Sequence, residues 1–143
     1  MLVQMVYASR PVQPFTSATL NTILATARKN NPAHGITGML IYDHRYFLQA
    51  IEGDRSEVNS LMEQLIKDPR HKDFLLLRFG TCEQRVFPHW SMGYAPEVAI
   101  TAPFLFKHGV NLEFNPYVLT ETKAIAILSE LGAMAQAEHA LED

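Results

Sequence analysis

Apolar and polar positions alternate weakly from Val3 to Ala8, a stretch rich in strand formers that predicts a first strand with Val3, Met5, Tyr7 and Ser9 on one face. The period then lengthens. Leu20, Ile23, Leu24 and Ala27 recur at i, i+3, i+4 and i+7, which predicts a helix capped by Thr16 or Ser17 and ended by Asn30, Asn31 and Pro32. Gly35 and Gly38 punctuate the entry to a strand over residues 37 to 43, and His44-Arg45 turns the chain into Tyr46 to Ile51, so the two form a β-hairpin. Asp54 to Glu57 has the spacing of a capping box in its Asp form, ahead of the apolar stripe Val58, Leu61, Met62, Leu65 and Ile66; Asp68-Pro69 stops this second helix. Phe74 to Phe79 is broken only by Arg78 and predicts a central strand, and Trp90 to Tyr94 predicts a further short one.

The order is βαββαβ plus one strand. Two right-handed crossovers place both helices on the same face of the sheet, so the fold class is α+β and ferredoxin-like, with the opposite face bare. Residues 96 to 119 hold three of the eight prolines and read as loop with one short helix. Thr120 to about Gln136 reads as a final helix whose stripe, Ala124, Ile125, Leu128, Leu131 and Ala135, suits that bare face or an oligomer interface. The expected division is a domain at 1–95 and a C-terminal extension at 96–143, with no repeat, second domain or output module.

Gln49 breaks the pattern. It lies in the apolar run Tyr46 to Ile51 and shares a strand face with Phe47 and Ile51, where an unpaired amide costs ~1 to 3 kcal/mol. It requires a partner, and a neighbouring backbone group is the ordinary one.

Composition narrows the classes. A chain of 143 residues buries roughly two-thirds of its unfolded surface without disulfides or metals. The single Cys82 excludes an intrachain disulfide and a thiolate zinc site, which suits a reducing cytoplasm. No stretch approaches the ~20 apolar residues that span a bilayer, and the N-terminus lacks the basic region of a signal peptide. A net charge of -3 gives no global field that attracts nucleic acid.

Several motifs, in order and at compatible spacing over about residues 2 to 95, resemble the BLUF family of blue-light sensors that use FAD. They are Tyr7-Ala8-Ser9, Asn31 ahead of Gly35-Ile36-Thr37-Gly38, Phe47-Leu48-Gln49 followed by Ile51-Glu52-Gly53, Asp68-Pro69-Arg70-His71, and Trp90-Ser91-Met92. That family is ferredoxin-like with the flavin between the two helices. The resemblance implies that Tyr7 gives an electron and then a proton to the photoexcited flavin. It implies that Gln49, whose amide carries both donor and acceptor, reverses its bonds to tyrosine and flavin with almost no change of shape. A small, reversible red shift is the expected signature.

The resemblance also assigns Asn31 to the polar edge of the ring and Ile23 and Leu65 to its two faces. Leu40 and Phe47 fall beneath it on the sheet, and Ser9 supports the tyrosine. With no Gly-rich phosphate loop present, Arg28 and Lys29, together with Asp68, Arg70 and His71, are candidates for the ribityl and phosphate end. Trp90 and Met92, alternating along a strand, are expected to share a face and relay the signal.

Each position has a plainer reading: Tyr7, Ile23, Leu65 and Trp90 as core residues, Asn31 as a helix terminator, Arg28 and Lys29 as cations at a helix C-terminus. His34, His44, His71, His89, His108 and His139 are scattered without metal-ligand spacing, and no nucleophile has an evident base, so no catalysis is expected. Two rivals remain: an acylphosphatase-like hydrolase using Arg10 and Asn31, and a light-insensitive module binding a small ligand or RNA. The expected partners are FAD, an effector protein and further copies of the chain, in the cytoplasm, with neither membrane nor nucleic acid.

Overall fold

A computed structural model describes residues 1–111 and 113–142, with side chains as far as Ala135. The side chain of His139 therefore lies outside the described residues. The elements run β1 (Leu2–Pro11), α1 (Ser17–Asn30), β2 (Thr37–Tyr42), β3 (Phe47–Asp54), α2 (Arg55–Lys67), β4 (His71–Thr81), β5 (Gly93–Pro96), α3 (Ala102–Lys107) and α4 (Glu121–Glu142). Single 3-10 turns occupy Asn31–His34, Glu97–Ala99 and Pro116–Val118.

The sheet order is β4-β1-β3-β2-β5, antiparallel except for β2 beside β5. This is the ferredoxin-like arrangement with an added strand. Because side chains alternate across a strand, β1, β2 and β3 each serve two cores. Met5, Tyr7, Leu40, Phe47 and Ile51 face α1 and α2. Val6, Met39, Ile41, Leu48 and Ala50 face the other way, onto Ala124, Ile127, Leu128 and Leu131 of α4.

Local signals account for the element ends. Thr16 caps α1 by accepting from the Thr19 amide at 3.2 Å, and Gly35, at φ 64°, ends the 3-10 turn after Asn31. In the β2–β3 hairpin, Asp43 Oδ1 accepts from the amides of Arg45 and Tyr46 at 3.2 and 2.9 Å, an Asx turn that tolerates His44 at φ 72°.

Three sequence expectations are corrected. First, the apolar run of β4 belongs to an edge strand, not a central one. It pairs with β1 alone, and the helices cover the middle of the sheet, so Leu75 and Leu76 are 40% and 43% exposed. Second, the last strand begins at Gly93, not Trp90. Residues 90–92 lie outside the ladder, so the two-residue period does not govern them. Trp90 packs against the α4 core whereas Met92 is buried in the α1/α2 core, and the two share no face. Third, Asp54 does cap α2, but its carboxylate accepts from Ser56, and Glu57 pairs with His34 at 2.9 Å instead of closing a capping box.

Candidate functional site

Strand register assembles the floor of a cavity. Tyr7 of β1 lies opposite Gln49 of β3, and Gln49 lies opposite Leu40 of β2, so the three form one row across the sheet on the α1/α2 side. Ser9, Phe47 and Tyr42 form the next row in the same way, of which Phe47 reaches the cavity. Above this floor the cavity encloses about 510 Å³, with Ile23 and Ala27 of α1 on one wall and Leu61 and Leu65 of α2 on the other. Apolar walls around a few convergent polar groups, at this volume, suit an organic ligand of some size.

The polar groups are the amides and the phenol. The Tyr7 hydroxyl donates to Gln49 Oε1, and Gln49 Nε2 donates to Met92 Sδ at 3.2 Å. All three side chains are buried. The partner that Gln49 requires is therefore a side chain on each end of its amide, not a backbone group. Burial raises the Tyr7 pKa well above the usual phenol value, and the charge of Asp68 raises it further, so Tyr7 is held as the neutral phenol. Its ring stacks on Phe74 with centroids 4.6 Å apart and meets His71 edge-on.

His71 is committed at both nitrogens. Nε2 donates to the Leu65 carbonyl, which can only accept, and Nδ1 lies 2.8 Å from Ser9 Oγ, so in the neutral ring Nδ1 accepts the serine proton. Arg70 is committed as well, with Nη2 2.6 Å from Asp68 Oδ2 and Nε 3.0 Å from Oδ1. These hydrogen bonds, led by that from the Arg70 side chain, hold the Asp68 carboxyl below its ordinary pKa. At the α1 end, Asn31 Nδ2 donates to the Ser91 carbonyl at 2.7 Å, which fixes the amide at the cavity wall.

A sequence model of the BLUF family, described as sensors of blue-light using FAD, matches residues 2–93. This chain belongs to that family. It is 31% identical over 97 residues to the photoactivated adenylate cyclase subunit beta of Euglena gracilis, an alignment covering 67% of this chain and 11% of that protein. The chain thus spans about a tenth of the length of such curated relatives. Among solved structures it is similar to BlsA in its photo-activated state, with a TM-score of 0.83 and 32% identity over 92% of this chain and 95% of that one. It is similar also to the BLUF protein BlrB in its dark state, with a TM-score of 0.76 and 30% identity over 95% of this chain and 96% of that one.

BLUF domains bind flavin, and the cavity has the chemistry for it. Its walls are aliphatic where a tricyclic ring needs apolar faces, and the Gln49 and Asn31 amides bring donor and acceptor atoms to one end. Of the residues singled out from sequence, Tyr7, Ile23, Asn31, Leu40, Phe47, Gln49, Leu65, Asp68, Arg70, His71 and Met92 line the cavity.

The others do not. Ser9 is fully buried behind the wall and acts on it through His71. Lys29 is exposed. Arg28 turns from the cavity to the backbone, with Nε 3.0 Å from the Met92 carbonyl oxygen, because that carbonyl leaves the ladder at a point which α1 can reach. Arg10 and Asn31, the pair a hydrolase would need, do not converge. The Arg10 guanidinium stacks 4.1 Å from the Tyr117 ring and pairs with Asp73 at 3.3 Å, while Asn31 faces the cavity.

Sequence reading missed Phe15, Thr26, Ala27, Asn30, His34, Ile36, Ile51, Glu57, Ser60, Leu61 and Gln64 as lining residues. Thr26, Asn30, Glu57, Ser60 and Gln64 lie on helix positions beside the apolar stripes, where a solvated rim and a ligand-facing rim have the same pattern, and His34 lies in the 3-10 turn that follows α1. Among the described residues no cluster could hold a metal ion, and no helix is long and apolar enough to cross a membrane.

Proposed function

We propose that the photoactive unit of this BLUF chain is the hydrogen-bonded series Tyr7, Gln49 and Met92, with Tyr7 as electron and proton donor and Gln49 as the switch. The observation that carries this reading is the buried Gln49 amide, held by a hydroxyl donor at its oxygen and a thioether acceptor at its nitrogen. When bound, FAD supplies a chromophore that absorbs blue light and becomes an oxidant beside Tyr7. Every other step falls to the chain.

Ile23 and Leu65 would hold the ring between the helices, and the Asn31 and Gln49 amides would orient its polar edge. Asp68, Arg70 and His71 line the cavity beside α2 and would face the ribityl and phosphate end, Asp68 through ribityl hydroxyls and Arg70 as the cation. The raised pKa keeps the proton on Tyr7 in the dark; an electron given up to the photoexcited flavin would itself make that proton strongly acidic, and it would pass along the hydrogen bond to Gln49 Oε1 as the amide released one Nε2 proton toward the flavin. Turning the amide then exchanges its donor and acceptor ends without a change of volume. The Met92 sulfur, a weak acceptor, distinguishes the two arrangements.

From Met92 a packed route leads to the opposite face. A methyl built on Gly93 would lie 2.5 Å from Met39 Cε, and one built on Gly132 of α4 would lie 3.1 Å from the same atom, so Met39 touches both backbones. This supports an output through the C-terminal extension at 96–143, with Trp90 packed on that side of the sheet. The receiver is a separate protein in the cytoplasm or a further copy of this chain, and the light signal passes as a changed protein contact.

The deciding experiment is the visible absorption spectrum of the purified protein before, during and after blue light. The expected result is a flavin spectrum with a small red shift that reverses in the dark. A flavin that only bleaches would overturn the switch mechanism.

A further inference from the structure

Residues 90–92 approach β5 without belonging to it, and their three consecutive carbonyls are taken up by donors from three places. The Trp90 carbonyl accepts from the Gly38 amide at 3.0 Å, that of Ser91 from Asn31 Nδ2 at 2.7 Å, and that of Met92 from Arg28 Nε at 3.0 Å. The third bond is unlike the others. Gly38 belongs to β2 and Asn31 is buried, whereas Arg28 lies on the exposed flank of α1, where a guanidinium is ordinarily left in water. Here it is drawn to the backbone of the one residue whose sulfur touches Gln49.

We propose that Arg28 is a positioning residue of the photocycle: through the Met92 carbonyl it holds the thioether against the Gln49 amide and so sets the lifetime of the switched state. This inference rests on the photoreceptor reading above. In the present arrangement Gln49 gives an N–H to the sulfur. With the amide turned, its oxygen faces the sulfur lone pairs, two acceptors in contact, and the contact is repulsive for as long as the sulfur is held there. A tethered Met92 therefore drives the amide back. A Met92 freed from Arg28 moves aside, and the turned amide persists.

Lysine separates this role from that of a simple cation. The Arg28→Lys substitution keeps the charge at the helix end but replaces the planar Nε donor by a single ammonium at the end of a flexible stem. Arg28→Ala and Arg28→Lys are accordingly both expected to slow dark recovery, by roughly 3- to 10-fold, while keeping flavin and the size of the red shift. The second readout is the methyl resonance of Met92 in protein labelled at the methionine methyl carbon and assigned with Met92→Leu. It is expected to move in both variants while that of Met134 does not.

Recovery at the wild-type rate in both variants, or a methyl signal that stays in place, would overturn the proposal. So would flavin loss in Arg28→Ala that Arg28→Lys restores, since that marks a phosphate ligand. Should the wild-type protein show no reversible shift, the photoreceptor reading fails by itself. The methyl signal then still decides whether Arg28 positions Met92.

Discussion

The two faces of the sheet are made by the same three strands and have opposite characters. On the α4 side, Ile127 and Leu128 are fully buried against Met39, Ile41 and Leu48, and Gly132 lets Met39 approach the helix backbone closely. On the α1/α2 side, the alternate residues of those strands floor a cavity of about 510 Å³ and include a glutamine and a tyrosine paired with each other. Well-filled apolar side chains stabilise by about 1.5 to 3 kcal/mol each, so the closely filled α4 face contributes hold at every position, whereas on the other face the buried cluster around Met5, Ile51 and Val58 gives way to the cavity. The α1/α2 face gives up packing to keep a slot and a buried amide held by side chains at both ends. Both faces are packed, but the cavity lies on one alone, and Met39 and the Met92–Gly93 junction lie where the two cores meet.

The largest expected effect tests the open face. Tyr7→Phe and Gln49→Leu should each retain flavin and lose the reversible red shift completely, as read by difference absorption under blue light. A normal photocycle in either variant would remove that residue from the mechanism.

Next in size is a matched truncation on the two faces. Leu128→Ala should lower the unfolding free energy by ~2 to 5 kcal/mol in urea, with the red shift unchanged in size. Ile23→Ala, on a half-buried position at the cavity wall, should cost less than about 2 kcal/mol but weaken flavin retention. Equal stability losses, or flavin loss from the α4 variant, would break the contrast.

The smallest effect concerns the rim. The Arg70 side chain lowers the Asp68 pKa below its ordinary value of 3.8, so the folded state binds the proton more weakly than the unfolded state does. The resulting stability is present above about pH 4 and is lost as the pH falls through the lower, folded value. Because Arg70 is largely exposed, it amounts to well under ~1 kcal/mol. Urea unfolding of the wild type and Asp68→Asn at neutral pH and at about pH 3 should show the difference narrowing in acid. A difference that widened would mean that Asp68 is not ion-paired in solution.

Much of this division was legible along the chain. The alternation in β1 placed Tyr7 with Met5, the run from Phe47 to Ile51 placed Gln49 on the cavity face, and the stripes of α1 and α2 placed Ile23 and Leu65 toward it. What failed did so for physical reasons. The run Phe74 to Phe79 reads as buried on both faces because composition carries no information on how far helices extend over a sheet, and Leu75 and Leu76 prove half exposed at the edge. Arg28 and Lys29 read alike, yet one reaches a carbonyl 64 positions away and the other stays in water.

The sequence by itself determined the ferredoxin-like order of elements, the faces of β1 and β3 and the family, because periodicity, capping residues and short motifs act through near neighbours. Only the tertiary structure decided that Met92 and not Trp90 meets Gln49, that both ends of the Gln49 amide are held by side chains, and that the Arg28 guanidinium reaches the Met92 carbonyl. Those outcomes depend on where a segment outside the ladder is carried when the chain closes. Hydrogen bonds between residues more than forty positions apart set that path, and no local pattern encodes them.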